Sequence, residues 1–148
     1  LRVDRSWLVS PAGSPDYLEQ VLRICAREKV RALAPGTEPE LLVLSRNRDA
    51  LERAGVALLA NDHALVEACL DKWTMHQLFV SRGVRTPAAA LPEQADQFIR
   101  EHGFPFLVKA RSGSGSRHLS IARNREDYDF FARRLASLGI SFILTEYV

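Results

Sequence analysis

The sequence predicts an α/β protein, and three observations predict it. Apolar residues recur with the 3.6-residue period of a helix in some stretches and alternate with period two in others. The two patterns take turns along the chain instead of segregating, as in folds that pair helices with a sheet. At four of the switches a glycine separates them: Gly55 before Val56, Gly83 before Val84, Gly103 before Phe104 and Gly139 before Ile140. A residue tolerant of the left-handed conformation just past a helix is a stop signal.

In order, Ser6 to Val9 reads as a short strand and Pro11 to Pro15 as a turn. Asp16 starts a helix with Leu18, Val21, Leu22 and Cys25 on one face, and Val30 to Ala34 is a second strand. Pro35 and Gly36 break it, and Thr37, Glu38, Pro39, Glu40 and Leu41 lead into another helix. Asn61 or Asp62 caps a helix with Leu65, Val66, Cys69 and Leu70 inward. Asp71, Lys72 and Trp73 come next, with a further helical run that has Met75, Leu78 and Phe79 at compatible spacing. Thr86 to Leu91 is short and extended, and Pro92 suits the first turn of a helix whose face is Ala95, Phe98, Ile99 and His102. Asn124 caps a helix that packs Tyr128, Phe131, Ala132, Leu135 and Leu138 inward, its arginines forming the solvated face. The last strand is Phe142 to Val148.

The most informative stretch lies between these last helices. Phe106, Val108 and Ala110 alternate with Leu107 and Lys109, so the lysine shares a strand face with an apolar neighbour. An unpaired buried charge is costly, so Lys109 calls for an anion or a route to solvent. The loop that follows, Ser112, Gly113, Ser114, Gly115, Ser116 and Arg117, combines close backbone approach with hydroxyl and guanidinium donors. His118 to Ala122 then alternates like a strand. A Walker loop needs its lysine after the glycines and a helix beyond, and a dinucleotide fingerprint needs a third glycine where His118 stands. The spacing of a nucleophile elbow is absent. A strand, glycine loop, strand hairpin with lysine on the incoming strand remains, which is a phosphate clamp.

Bulk properties bound the partners. The 148 residues, 47% of them hydrophobic, suffice for one ordinary domain or two small ones. Twenty basic against eighteen acidic residues give a net charge of +2, too balanced to predict a nucleic-acid surface. No apolar run reaches membrane-spanning length and no export segment opens the chain, so no membrane partner is expected and the cytoplasm is the expected compartment. The chain starts at Leu1, from which a missing native start is expected. Cys25 and Cys69 are expected as buried free thiols. His63, His76, His102 and His118 and the acidic residues show no metal-ligand spacing.

Gly103, Phe104, Pro105, Lys109 and the run Gly113 to Arg117 resemble the ATP-grasp superfamily, above all its carbamoyl-phosphate-synthase-like branch. Ala110 stands where that family usually has proline and His118 where it usually has glycine. If the latter position needs a positive φ, the loop is strained or reshaped. The resemblance implies a pre-ATP-grasp, Rossmann-like subdomain over residues 1–70 with its first strand missing. A linker helix over 71–86 would follow, then the small α+β N-terminal lobe of the ATP-grasp domain over 87–148, up to the adenine hinge.

It further implies that Lys72 and Lys109 take the ATP phosphates, that Ser112, Gly113, Ser114, Gly115, Ser116 and Arg117 cover them, and that Glu146 and Val148 meet adenine. Glu38 and Glu40, in the TEPEL segment, would face the substrate side; helix-start carboxylates favoured by the macrodipole are the equal alternative. Lys72 alone would read as a solvated helix lysine. By the same resemblance the cofactors are ATP and Mg2+, with the metal ligands in a C-terminal lobe beyond these residues. The 148 residues alone are therefore expected to be inactive. The implied reaction activates a carboxylate as an acyl phosphate for attack by an amine or ammonia, the partners being small-molecule carboxylates and amines, and a homo-oligomer is compatible with it. A non-catalytic nucleotide-binding module or an interaction module is the alternative.

Overall fold

The computed structural model describes residues 3–113 and 115–148, and the chain forms two compact units, Leu1–Glu67 and Ala68–Val148. In the first unit, α1 (Tyr17–Glu28), β1 (Ala32–Leu33), α2 (Glu38–Arg46), α3 (Arg48–Arg53) and β2 (Ala57–Leu58) follow in order, and α4 (His63–Leu70) begins. β1 and β2 run parallel, Ala32 opposite Ala57 and Leu33 opposite Leu58. The core is Tyr17, Val21 and Cys25 from one stripe of α1, with Leu44, Leu51, Val56 and Leu58. Leu18 and Leu22 flank that stripe half-buried, since residues four apart stay on one face while neighbours rotate away.

Three expectations need correction. Ser6 to Val9 forms no strand. A strand needs a neighbour to take its amides and carbonyls, and this segment instead ties to α1 through Ser10, whose amide donates to Gln20 and whose hydroxyl donates to Asp16. The Arg27 guanidinium lies 4.3 Å from the Trp7 ring centre. Cys25 is buried as expected, but Cys69 is exposed. Of the face predicted for α4 only Val66 is buried, because so short a helix sinks a single position while Cys69 is turned about 60° away and one turn further on. Leu138, expected inward, is 55% exposed because the helix has already ended at Ser137 and the chain has left its rotation.

The second unit holds α5 (Lys72–Ser81), β3 (Ala89–Ala90), a single 3-10 turn (Pro92–Gln94), α6 (Ala95–His102), β4 (Phe106–Ala110), β5 (Leu119–Ala122), α7 (Arg125–Ser137) and β6 (Phe142–Glu146). Its four strands form an antiparallel sheet in the order β3-β6-β4-β5. One sheet face carries Phe106, Val108, Ala122, Phe142 and Leu144, and packs against Ala95 and Phe98 of α6 and Tyr128 and Leu135 of α7. Phe106 sits at the centre, edge-on to Phe98 and flanked by Phe104 and Tyr128. Each such fully buried side chain contributes about 1.5–3 kcal/mol relative to exposure. The glycines at the four pattern switches all have positive φ, from 66° at Gly139 to 75° at Gly55. Asn124 caps α7 through the Asp127 amide, and Asp62 rather than Asn61 caps α4 through the Leu65 amide.

Candidate functional site

Because one face of the sheet is filled by α6 and α7, the alternate residues of β4 stand on the other. Lys109 lies there half-buried, across from Ile143 on β6 and Leu119 on β5. Burial, and then the neighbouring Lys72 ammonium, hold Lys109 below the usual lysine range. His76 is likewise pushed below the usual imidazole value, by burial and then by Lys109. His76 stacks with Trp73 one turn earlier on α5, the ring centres 5.6 Å apart. Two ammonium groups and an imidazole disfavoured in its charged form make a pocket of positive potential that an anion would relieve.

An ion pair between Asp71 and Arg111 fixes this arrangement. Asp71 accepts from the amides of Trp73 and Thr74 at 2.8 and 3.1 Å, capping α5. Its carboxylate also takes the fork of Arg111, Nε at 3.0 Å and Nη2 at 2.6 Å from Oδ2. Burial works against ionisation of Asp71, but Arg111 and the two amides outweigh it and the carboxyl lies below its usual range. The Lys72 amide donates to the Arg111 carbonyl at 2.8 Å, and the Lys72 Nζ donates to the Gly113 carbonyl at 2.9 Å. Lys72 is therefore tied to the start of the glycine loop and is not a freely solvated lysine. Sequence reading missed Arg111, although its position two residues after Lys109 puts it on the same strand face.

The loop leaves the sheet as an exposed turn. Ser112, Gly113, Gly115, Ser116 and Arg117 are all exposed, and Ser114 lies outside the described residues. Gly113 and Gly115 have φ of 97° and 70°, and Ser116 and His118 join them at 55° and 59°. His118 thus adopts the positive φ that strains a non-glycine residue. Histidine is among the side chains that visit this region more readily, at a cost of about 1–2 kcal/mol. Its carbonyl accepts the Ala110 amide at 3.2 Å, and β5 begins only at Leu119.

At the far end of β6, Glu146 bonds twice to Ala88. Its amide donates to the Ala88 carbonyl at 2.9 Å, and its Oε2 accepts the Ala88 amide at 3.1 Å. Glu146, Tyr147 and Val148 line an open recess of about 360 Å³ with Arg85, Thr86 and Pro87. Val148 is 95% exposed. Glu38 and Glu40 belong to the first unit, where Glu40 Oε2 accepts from the Gly36 amide and the Thr37 hydroxyl. That is the reciprocal cap of α2, and Glu38 stands exposed beside it. Among the described residues no three His, Cys, Asp or Glu side chains converge as a metal-ligand group. No helix described is long and apolar enough to cross a membrane.

Residues 2–59 match the family model for the PylC-like N-terminal domain. The chain is 24% identical to a pyruvate carboxylase of Komagataella pastoris over 96% of its own length and 13% of that protein. It is 27% identical to the carbamoyl phosphate synthase large chain of Pyrococcus furiosus over 88% of its length, again 13% of the relative. Among solved structures, N5-carboxyaminoimidazole synthetase from Staphylococcus aureus complexed with ADP matches with a TM-score of 0.67 at 16% identity, over 95% of this chain and 35% of that one. The biotin carboxylase-beta-gamma-ATP complex from Campylobacter jejuni matches at 0.62 and 20% identity, over 92% and 33%. The chain thus spans about an eighth of the curated relatives' length and a third of the structural ones.

Proposed function

The chain is recognisable in sequence and fold as ATP-grasp, of the branch that includes carbamoyl-phosphate synthase, and from that premise we propose that it is the nucleotide-binding front portion of an ATP-dependent ligase. The observation that carries this reading is the cation cluster of Lys109, Lys72 and the glycine loop, assembled on the one sheet face that α6 and α7 leave uncovered. In the reading, Lys72 and Lys109 bind the phosphates, Ser112 to Arg117 cover them, and the end of β6 edges the base. The γ-phosphoryl group passes to a carboxylate, and an amine or ammonia displaces phosphate from the acyl phosphate. Charge gathers on the transferring oxygens, so fixed cations and N–H donors are what this portion supplies. Magnesium, when bound, neutralises phosphate charge, through ligands outside the described residues. A homo-oligomer remains compatible with this reading, and Glu38 and Glu40 serve it at the substrate side or only as the start of α2.

The test is nucleotide binding by the full-length protein across pH 7 to 10, wild type against Lys109→Met. A bound phosphate stabilises the charged lysine, so wild-type affinity falls as pH rises through the lowered Lys109 value. The variant binds about tenfold more weakly at neutral pH and loses that limb of the profile. Equal affinity in the two proteins would overturn the assignment.

A further inference from the structure

Successive residues of β6 take opposite faces of the sheet. Phe142 and Leu144 join the core under α6 and α7. Ile143 and Thr145 stand on the other face, Ile143 across from Lys109 and Thr145 across from Leu107 and Ala89. Thr145 is 6% exposed, and its Oγ1 has no hydrogen-bond partner among the described residues. Such a group is expensive to keep, since valine has the same shape without the unmet hydroxyl. Glu146, by alternation on the helix-covered face, spends one carboxylate oxygen on the Ala88 amide. A ligand lying along the lysine face therefore meets Thr145 before it meets Glu146.

We propose that the Thr145 hydroxyl is a specificity-determining group, accepting a hydrogen bond from the exocyclic amino group of the bound nucleotide's base. The inference rests on the nucleotide reading above and adds which side chain reads the base. Thr145 lies two residues along β6 from the partner of Lys109, about 7 Å. That leaves the ribose between the base and the phosphate cations. Leu107 and Ala89 beside it are only half-buried.

The experiment compares wild type, Thr145→Val and Thr145→Ser in the full-length protein, by thermal melting without ligand and by titration with ATP and with purine riboside triphosphate, which lacks the amino group. Thr145→Val should melt no lower than wild type, bind ATP about fivefold more weakly and bind the analogue unchanged, while Thr145→Ser keeps the preference for ATP. Thr145→Val with wild-type affinity for ATP, or equal losses for both nucleotides, overturns the inference and leaves the nucleotide reading standing. Wild-type protein that binds neither nucleotide overturns both.

Discussion

Replacing Arg111 by methionine removes the fork that joins the end of β4 to the start of α5 while keeping side-chain length. Three contacts are lost, at 3.2, 3.0 and 2.6 Å. Asp71 keeps its two amide donors but loses its counter-ion. The side chains are 31% and 33% exposed, between a buried pair and a surface one. The expected loss is about 1–2 kcal/mol, below the upper range for hydrogen bonds to charged groups because water screens the pair. For a unit the size of Ala68–Val148 each kcal/mol lowers Tm by about 4–8 °C. The assay is thermal melting followed by circular dichroism between pH 2 and 7. Asp71 is depressed in the folded state, so its stabilisation is complete above the ordinary carboxylate value and is lost as pH falls through the depressed one. The gap between wild type and variant should therefore close in acid. Arg111→Lys, which keeps the charge without the planar fork, should recover less than half of the loss. A variant that melts with wild type at pH 7, or a gap that persists unchanged at pH 2, would refute the reasoning.

Two further outcomes follow from local geometry. His118→Gly removes the Cβ from a backbone with φ of 59°, and relief of about 1–2 kcal/mol is partly offset by the greater freedom of glycine in the unfolded chain. Chemical denaturation should show a neutral to slightly stabilised variant, and a loss above about 1 kcal/mol would show that the imidazole makes a contact that matters more than its backbone strain. Glu40→Ala breaks the reciprocal cap of α2 and should cost about 0.5–1.5 kcal/mol. It should also bring the Tyr17 phenol, raised by burial and then by the Glu40 charge, back toward its ordinary value in a spectrophotometric titration. An unchanged melt and titration would show that Glu40 does not serve as the cap.

Periodicity and punctuation made much of the fold legible. Five capping or stopping positions, Thr37, Asp62, Asn124, Gly103 and Gly139, act through their own side chain or their own φ, and such local chemistry survives in a linear string. The alternation of Phe106 to Ala110 likewise predicts its pattern of burial, because a strand's period is a property of the backbone. Where a neighbour decides, sequence reading failed. Ser6 to Val9 has strand composition without a ladder partner, Cys69 and Leu138 lie where short or ended helices no longer face a core, and no local signal marks those limits.

The candidate site divides along the same line. Lys109 and its glycine loop were visible as residue types in order, because a buried cation beside a donor-rich turn is written in consecutive positions. Only the tertiary structure joined Asp71 to Arg111 and Lys72 to Gly113, pairs 40 and 41 residues apart. It alone placed Thr145, and not Glu146, on the lysine face, since the register between β4 and β6 sets which residues look the same way. A chain can carry its chemistry in local order, but which groups meet depends on strand pairing and on contacts between residues distant in sequence, and those exist only in the folded state.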